Sequence, residues 1–224
     1  MRRDNTATSA ATWQLASVLL DYPDDALAAQ FPALDREAGH LPTGAAGPLL
    51  RFLAHAQETP TLDLARHFVE TFDHKRRCCL YLTYYAHGDT RKRGIALLEF
   101  KTAYRAAGLE PGTGELPDHL AVVLEYAGID PRGGRSLLLA HRAGIELLRL
   151  ALEDAGSPYA DVLRAVTSTL PALRGDEREA VHQLAVLGPP TEEVGLAPFA
   201  PPEAMPVSLP FPTRRPGLTD ASSR

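Results

Sequence analysis

Leucine outnumbers valine and isoleucine combined by 34 to 13 in this chain of 224 residues. That ratio decides the fold class. Strands are built from β-branched side chains, which pack well on a pleated surface but lose freedom in a helix. Leucine and alanine favour helix. No stretch alternates apolar and polar residues for long enough to read as a strand. The expectation is an all-α chain: one globular multi-helix domain of about nine to ten helices.

Helical spacing places the elements. Trp13, Ala16 and Leu20 share one face of a helix that Asp21-Tyr22-Pro23 ends, because proline disfavours helix at the residue before it. A short helix is expected over Asp24 to Arg36, then a loop from Gly39 to Pro48, with Pro48 opening the next helix. Leu64, Phe68 and Phe72 recur every four residues, so Thr61 to Phe72 reads as amphipathic helix. Cys78 to Tyr85 reads as two helical turns, broken at His87-Gly88. Asp89 is placed to cap the next helix, which shows Leu97, Phe100 and Tyr104 and ends at Gly108. Leu116, Leu120, Val123 and Ala127 form the stripe of a helix starting near Pro117. One further long helix carries Leu138, His141, Ile145, Leu148 and Leu152, and two more are expected over Pro158 to Leu170 and Asp176 to Leu187. From Val186 to Pro216 there are nine prolines in 31 residues. Proline at that density forbids helix interior. The expected division is therefore a helical domain over 9–187 and a Pro-rich disordered or extended tail over 188–224.

Bulk properties exclude some classes. The N-terminus lacks the apolar run of a secretory signal, and no window reaches the roughly 18 apolar residues of a membrane span. The two cysteines, Cys78 and Cys79, are adjacent and cannot reach ordinary disulfide geometry without strain. That points to a reducing compartment, most simply the cytoplasm. The formal net charge of −5 speaks against a general nucleic-acid binder.

The segment DHKRRCCLYLTYYAHGDTRKRG, Asp73 to Gly94, stands out. Residues 70–105 hold eight Lys/Arg against four Asp/Glu, a local +4, so the remainder carries −9. Three uses are open to its cations: stacking and phosphate contact with a single-stranded nucleic acid, plain solvation, or internal pairing, to which the arginine fork is suited. Solvation and pairing outweigh nucleic acid, since an acidic remainder repels phosphate. His67, Glu70 and His74 lie on one side of a helix and could ligate a cation, the basis of an alternative reading as an all-α metal-dependent enzyme. No matching ligand set is found on a second helix. There is no nucleophile elbow, no SxxK and no phosphate-binding glycine motif. His141, on an apolar stripe, reads as a hydrogen-bonded core histidine.

An ordered series of short motifs carries a family resemblance. Phe68-Val69-Glu70-Thr71-Phe72-Asp73 leads to Arg76-Arg77-Cys78, to Leu80-Tyr81-Leu82-Thr83-Tyr84-Tyr85, to Gly88-Asp89-Thr90-Arg91 and Arg93-Gly94. Glu115-Leu116-Pro117-Asp118-His119-Leu120 and Leu124-Glu125-Tyr126 follow. With Leu19-Leu20-Asp21-Tyr22-Pro23, this resembles the delta-subunit, or NarJ-type, molybdenum-cofactor assembly chaperones of respiratory nitrate reductase. The resemblance covers about Trp13 to Leu187 and leaves out the Pro-rich tail.

The resemblance implies a cytoplasmic, all-helical chaperone that is not an enzyme and needs no cofactor of its own. It implies a partner: the apo catalytic (alpha) subunit of nitrate reductase, gripped chiefly at its N-terminus. It also implies help with molybdenum cofactor insertion and membrane assembly, and absence from the finished enzyme. Neither nucleic acid nor direct membrane insertion is expected, and monomer and dimer stay equally open. Client-binding residues are expected among Tyr81, Tyr84, Tyr85, Asp118, His119 and Glu125, since tyrosine offers apolar area with a polar tip. Asp118 could equally serve the positive first turn of its helix. Arg76, Arg77, Asp89, Arg91 and Arg93 are expected as structural or rim charges.

Overall fold

In the computed structural model, residues 2–187 are described except 89, 111 and 113, and they belong to one compact unit. Asp89 and the Pro-rich segment 188–224 lie outside the described residues. The helices are α1 Arg2–Leu19, α2 Asp25–Ala28, α3 Phe31–Gly39, α4 Thr43–Glu58, α5 Thr61–Phe72, α6 Leu82–His87, α7 Arg91–Ala106, α8 Leu120–Ile129, α9 Pro131–Ala140, α10 Arg142–Asp154, α11 Tyr159–Ser168 and α12 Gly175–Leu187. A 3-10 turn covers Arg76–Cys78. No strand occurs among the described residues, only an isolated antiparallel bridge between Tyr81 and His119. The all-α expectation holds, with more and shorter helices than the nine to ten foreseen.

The apolar stripes set the packing. Trp13, Ala16 and Leu20 turn α1 onto α8, whose Leu120, Val123 and Ala127 are buried. α4 lies against α3 and α11, and α10 against α11 and α12. An aromatic cluster ties α4, α5 and α11 together: Tyr159 meets Phe52 at 4.8 Å and Phe72 at 5.0 Å between ring centroids. The Trp13 indole N–H donates to Thr169 Oγ1 at 2.9 Å, so the largest buried side chain is also satisfied as a donor.

Four local expectations are corrected. The α4 helix begins at Thr43, so Pro48 sits inside it, not at its first position. Its first turn is rich in glycine and alanine and packs close to α11: a Cβ on Gly44 would lie 3.7 Å from Ser168 Cβ. Burial of Ala45 and Ala46 there outweighs the proline signal. The stretch Asp24 to Arg36 divides into α2 and α3. Cys78 to Tyr85 is not one helix, because Cys79 and Tyr81 are extended. The long helix expected through Leu152 bends at His141 (φ −105°, ψ 19°). The bend follows the packing: the His141 ring lies 4.8 Å from that of Phe100, and Gly144 comes against Tyr85.

Glycine acts where expected at Gly108. Its φ of +75° ends α7 in a Schellman arrangement, with Gly108 N–H donating to Arg105 O and Leu109 N–H to Tyr104 O. Gly134 acts by its lack of a side chain: a Cβ there would fall 2.1 Å from Ala127 Cα, across the α8–α9 contact. An alternating chain of ion pairs joins three helices. Arg51 (α4) meets Asp161 (α11), Arg164 (α11) meets Asp161 and Glu153 (α10), and Arg149 meets Glu153 and Glu146.

The contact between α8 and α9 gives a direct test. Gly134→Ala drives a methyl group into the Ala127 backbone and is expected to cost about 3 kcal/mol. Gly39→Ala, with nothing within 4 Å of the added Cβ, is expected to be neutral or to stabilise by about 0.5 kcal/mol. Urea unfolding of both variants beside the parent measures the contrast.

Candidate functional site

The two motif segments meet through backbone pairing. Leu82 N–H donates to Asp118 O at 3.0 Å and Leu120 N–H to Leu80 O at 2.8 Å. The extended run before α6 is thereby clamped to the residues preceding α8. Asp118 lies beneath the clamp and is wholly buried (0% exposed). Its Oδ2 accepts from Thr83 N–H at 3.1 Å and from Thr83 Oγ1 at 2.6 Å. Arg93 of α7 approaches the same oxygen at 3.8 Å and donates to Thr83 Oγ1 at 3.1 Å. The Tyr104 hydroxyl donates to Pro117 O. Three elements, α6, α7 and the α8 entry, are therefore joined at one carboxylate.

Above this joint the side chains reach the surface. The Arg93 guanidinium lies 5.3 Å from the Tyr81 ring centroid, a cation–π contact. The Tyr81 ring meets the His119 ring edge-on at 5.2 Å, and the Tyr81 hydroxyl donates to Glu115 Oε2 at 2.9 Å. Burial, helped by that bond to Glu115, pushes the Tyr81 phenol up to about 12. Burial holds His119 below the ordinary imidazole value, despite the nearby carboxylates of Glu115, Asp118 and Asp21.

Two surface recesses flank α8. One, of about 370 Å³, is bounded by the end of α7 and one side of α8, including Tyr104, Leu109, Tyr126 and Ile129. The other, of about 750 Å³, lies between α1, the turn into α2 and the opposite side of α8, including Val18, Tyr22 and Leu27. Glu115, Val122 and Glu125 line both and form the ridge between them. Three large apolar residues left exposed fall on these walls: Val18 (37%), Tyr22 (51%) and Ile129 (56%). Exposed apolar side chains gathered in a concave surface mark a docking site more often than a stability feature.

The expected site residues divide sharply. Glu125 is exposed and lines both recesses. Tyr81 and His119 are half-buried and adjoin the ridge through Glu115. Tyr84 is half-buried and packs edge-on against Tyr85 at 6.1 Å. Tyr85 belongs to the core: 6% exposed, its hydroxyl donates to Arg77 O and Cys79 O. Asp118 is corrected on two counts. It precedes α8 by two residues, so it is not in the helix's first turn, and it is enclosed, so no partner side chain reaches it in this arrangement. Leu116 likewise precedes the helix and is exposed (42%), not part of its apolar stripe. Arg93 reaches Asp118 and Thr83 from α7. Arg76 and Arg77 are exposed and make no ion pair among the described residues, and Arg91 is exposed at the start of α7.

The metal-dependent alternative loses its ligand set. The His67 Nε2 lies 2.9 Å from Ser157 Oγ and 3.3 Å from Thr71 Oγ1, while Glu70 and His74 are exposed. Among the described residues no group of three or more His, Cys, Asp or Glu is placed to hold a metal ion. Asp21, Tyr22, Val18 and Glu115 were missed as site residues. The signal was present in the Leu19-to-Pro23 turn and in the Glu115-to-Leu120 motif, but nothing local shows that these meet at one recess beside α8.

An all-α chain whose motif segments border a two-part recess is the class of protein that the fold and candidate site define. A sequence-family profile described as nitrate reductase delta subunit matches residues 38–165. The NarJ protein of Bacillus subtilis (strain 168) is 33% identical over 170 residues, covering 74% of this chain and 91% of that one. The nitrate reductase molybdenum cofactor assembly chaperone NarJ of Escherichia coli (strain K12) is 34% identical over 163 residues, 69% of each. The nitrate reductase-like protein NarX of Mycobacterium tuberculosis (strain H37Rv) is 42% identical over 158 residues, and there the chain spans only 24% of the relative's length. A crystal structure described as a redox enzyme maturation protein from Archaeoglobus fulgidus shares the fold, with a TM-score of 0.56 at 24% identity, over 72% of this chain and 93% of that one. The chain belongs to the nitrate reductase delta subunit family.

Asp118 separates a tying role from a surface role. Asp118→Ala removes the shared acceptor of Thr83 and the carboxylate facing Arg93, and is expected to cost about 3 kcal/mol in urea unfolding. Asp118→Asn is expected to cost roughly half as much. A purely surface acceptor would leave stability within about 0.5 kcal/mol.

Proposed function

We propose that this chain is an assembly chaperone for nitrate reductase. It binds the immature catalytic subunit, chiefly an N-terminal segment, while molybdenum cofactor is inserted and membrane assembly is prepared, and it is absent from the finished enzyme. It makes and breaks no bond and carries no cofactor of its own. One observation carries this reading: in a member of the delta subunit family, the family-like motifs converge on a concave surface with exposed Val18, Tyr22 and Ile129. An amphipathic helix laid into such a groove meets apolar walls with its apolar face and the charged rim with its flanks. Glu125, Tyr81 and His119 adjoin that surface. Tyr84 is a flanking residue, while Tyr85 and Asp118 support the surface from within. No helix among the described residues is long and apolar enough to cross a membrane, which fits a chaperone that meets its client in the cytoplasm.

Titration calorimetry tests the reading. A synthetic segment of about 15 residues from the N-terminus of a nitrate reductase catalytic subunit is expected to bind the full chain with micromolar affinity. Val122→Asp, which removes the apolar contact between the two recesses, is expected to weaken that binding at least tenfold with the fold retained by circular dichroism. Absence of saturable heat with the parent protein contradicts the reading.

A further inference from the structure

Among the described residues, the recesses beside α8 are lined by Asp21, Asp24, Glu110, Glu115 and Glu125, and by no lysine, arginine or histidine. None of the five makes an ion pair among the described residues. On α4, α10 and α11, by contrast, Asp161, Glu153 and Glu146 are matched by Arg51, Arg164 and Arg149. The chain's positive charge is concentrated over residues 70–105 instead. The concave wall that carries exposed Val18, Tyr22 and Ile129 is thus also lined by acids that lack counter-charges.

We propose that this surface selects a cationic amphipathic helix, with Glu115 and Glu125 as the specificity-determining carboxylates. The proposal rests on the client-docking reading above and adds the chemistry of the guest.

The arrangement on α8 supports it. Val122, Glu125 and Ile129 recur at i, i+3 and i+7, so they share one outward face of the helix. A guest helix lying across Val122 sets its apolar face against Val18 and Tyr22 on one side and Ile129 on the other. Its cations then fall beside Glu115 and Glu125, which border both recesses. Glu115 is held in place beforehand by the Tyr81 hydroxyl, so pairing costs little further ordering. Glu125 is exposed and makes no hydrogen bond among the described residues, so it is available to a guest cation. Asp21 and Asp24 spend an oxygen each on local backbone N–H groups, of Tyr22 and Leu27. Their charge still adds to the field that draws a cation in and repels an acidic segment.

The test uses two designed amphipathic peptides with the same leucine face, one with lysine and one with glutamate on the polar face, and a nitrate reductase N-terminal segment in parallel. Binding to the full chain and to the Glu115→Gln/Glu125→Gln double variant is read by fluorescence anisotropy. Glutamine keeps an acceptor for Tyr81, so the fold is expected to persist, with an unchanged melting temperature as the check. The lysine peptide is expected to bind at least tenfold tighter than the glutamate peptide. The double variant is expected to weaken the lysine peptide about fivefold, and raising the salt to about 0.3 M is expected to weaken it on the parent. Equal binding of the two designed peptides, or an unchanged affinity in the double variant, overturns the proposal. If the nitrate reductase segment binds parent and double variant equally, the docking reading stands and the charge selection falls. If that segment does not bind while the lysine peptide does, the charge selection stands and the identity of the client falls.

Discussion

The architecture turns on one enclosed carboxylate. Asp118 receives the backbone and the hydroxyl of Thr83 and faces Arg93, so three stretches of chain distant in sequence are fixed by a single side chain. A carboxyl so deep needs partners that replace water, and its Oδ2 has them in Thr83. The short backbone pairing between residues 80–82 and 118–120 closes directly over it. Everything on the outer side of α8, from the Tyr81 ring to the position of Glu115, is oriented by this joint.

Electrostatics divide the molecule into two regimes. On α4, α10 and α11 the acids and bases alternate and neutralise one another, tying helices that already share an apolar core. In the recesses beside α8, acids border exposed apolar side chains, with no base among the described lining residues. Like charges gathered without counter-charges add nothing to folding stability. Their concentration beside exposed Val18, Tyr22 and Ile129 is the feature on which the proposed docking rests.

Much of this was legible in the sequence, and what was not has a common cause. The leucine excess and the three- and four-residue spacing identified the all-α class, and they placed Trp13, Phe68, Phe100, Val123, Leu148 and Leu152 inward or on the right stripe. Those features are local, and burial of one helical face suffices to express them. The failures occur where distant segments override local preference. Pro48 sits inside α4 because packing against α11 extends the helix towards its N-terminal side. The run Cys78 to Tyr85 gives up a helical turn because its backbone finds partners before α8. The helix through His141 bends to seat Gly144 against Tyr85.

The site divides in the same way. Glu125 was recognisable through the Leu124-Glu125-Tyr126 motif, and it borders both recesses. Asp118 was recognisable as important by its motif, but its enclosure depends on Thr83 and Arg93, 35 and 25 residues away, which no periodicity reveals. Tyr85 looked like its neighbours Tyr81 and Tyr84, yet the geometry of a six-residue helix sends it inward. Asp21, Tyr22 and Glu115 become a site only once α1 is laid along α8.

The central claim is that the α1–α8 wall receives an immature client chain. Hydrogen exchange of the full chain, with and without the N-terminal segment of a nitrate reductase catalytic subunit, addresses it most directly. The account predicts added protection over residues 14–30 and 115–129, with exchange in α5 unchanged. Protection confined to α5 or α12, or none at saturating client, would contradict it.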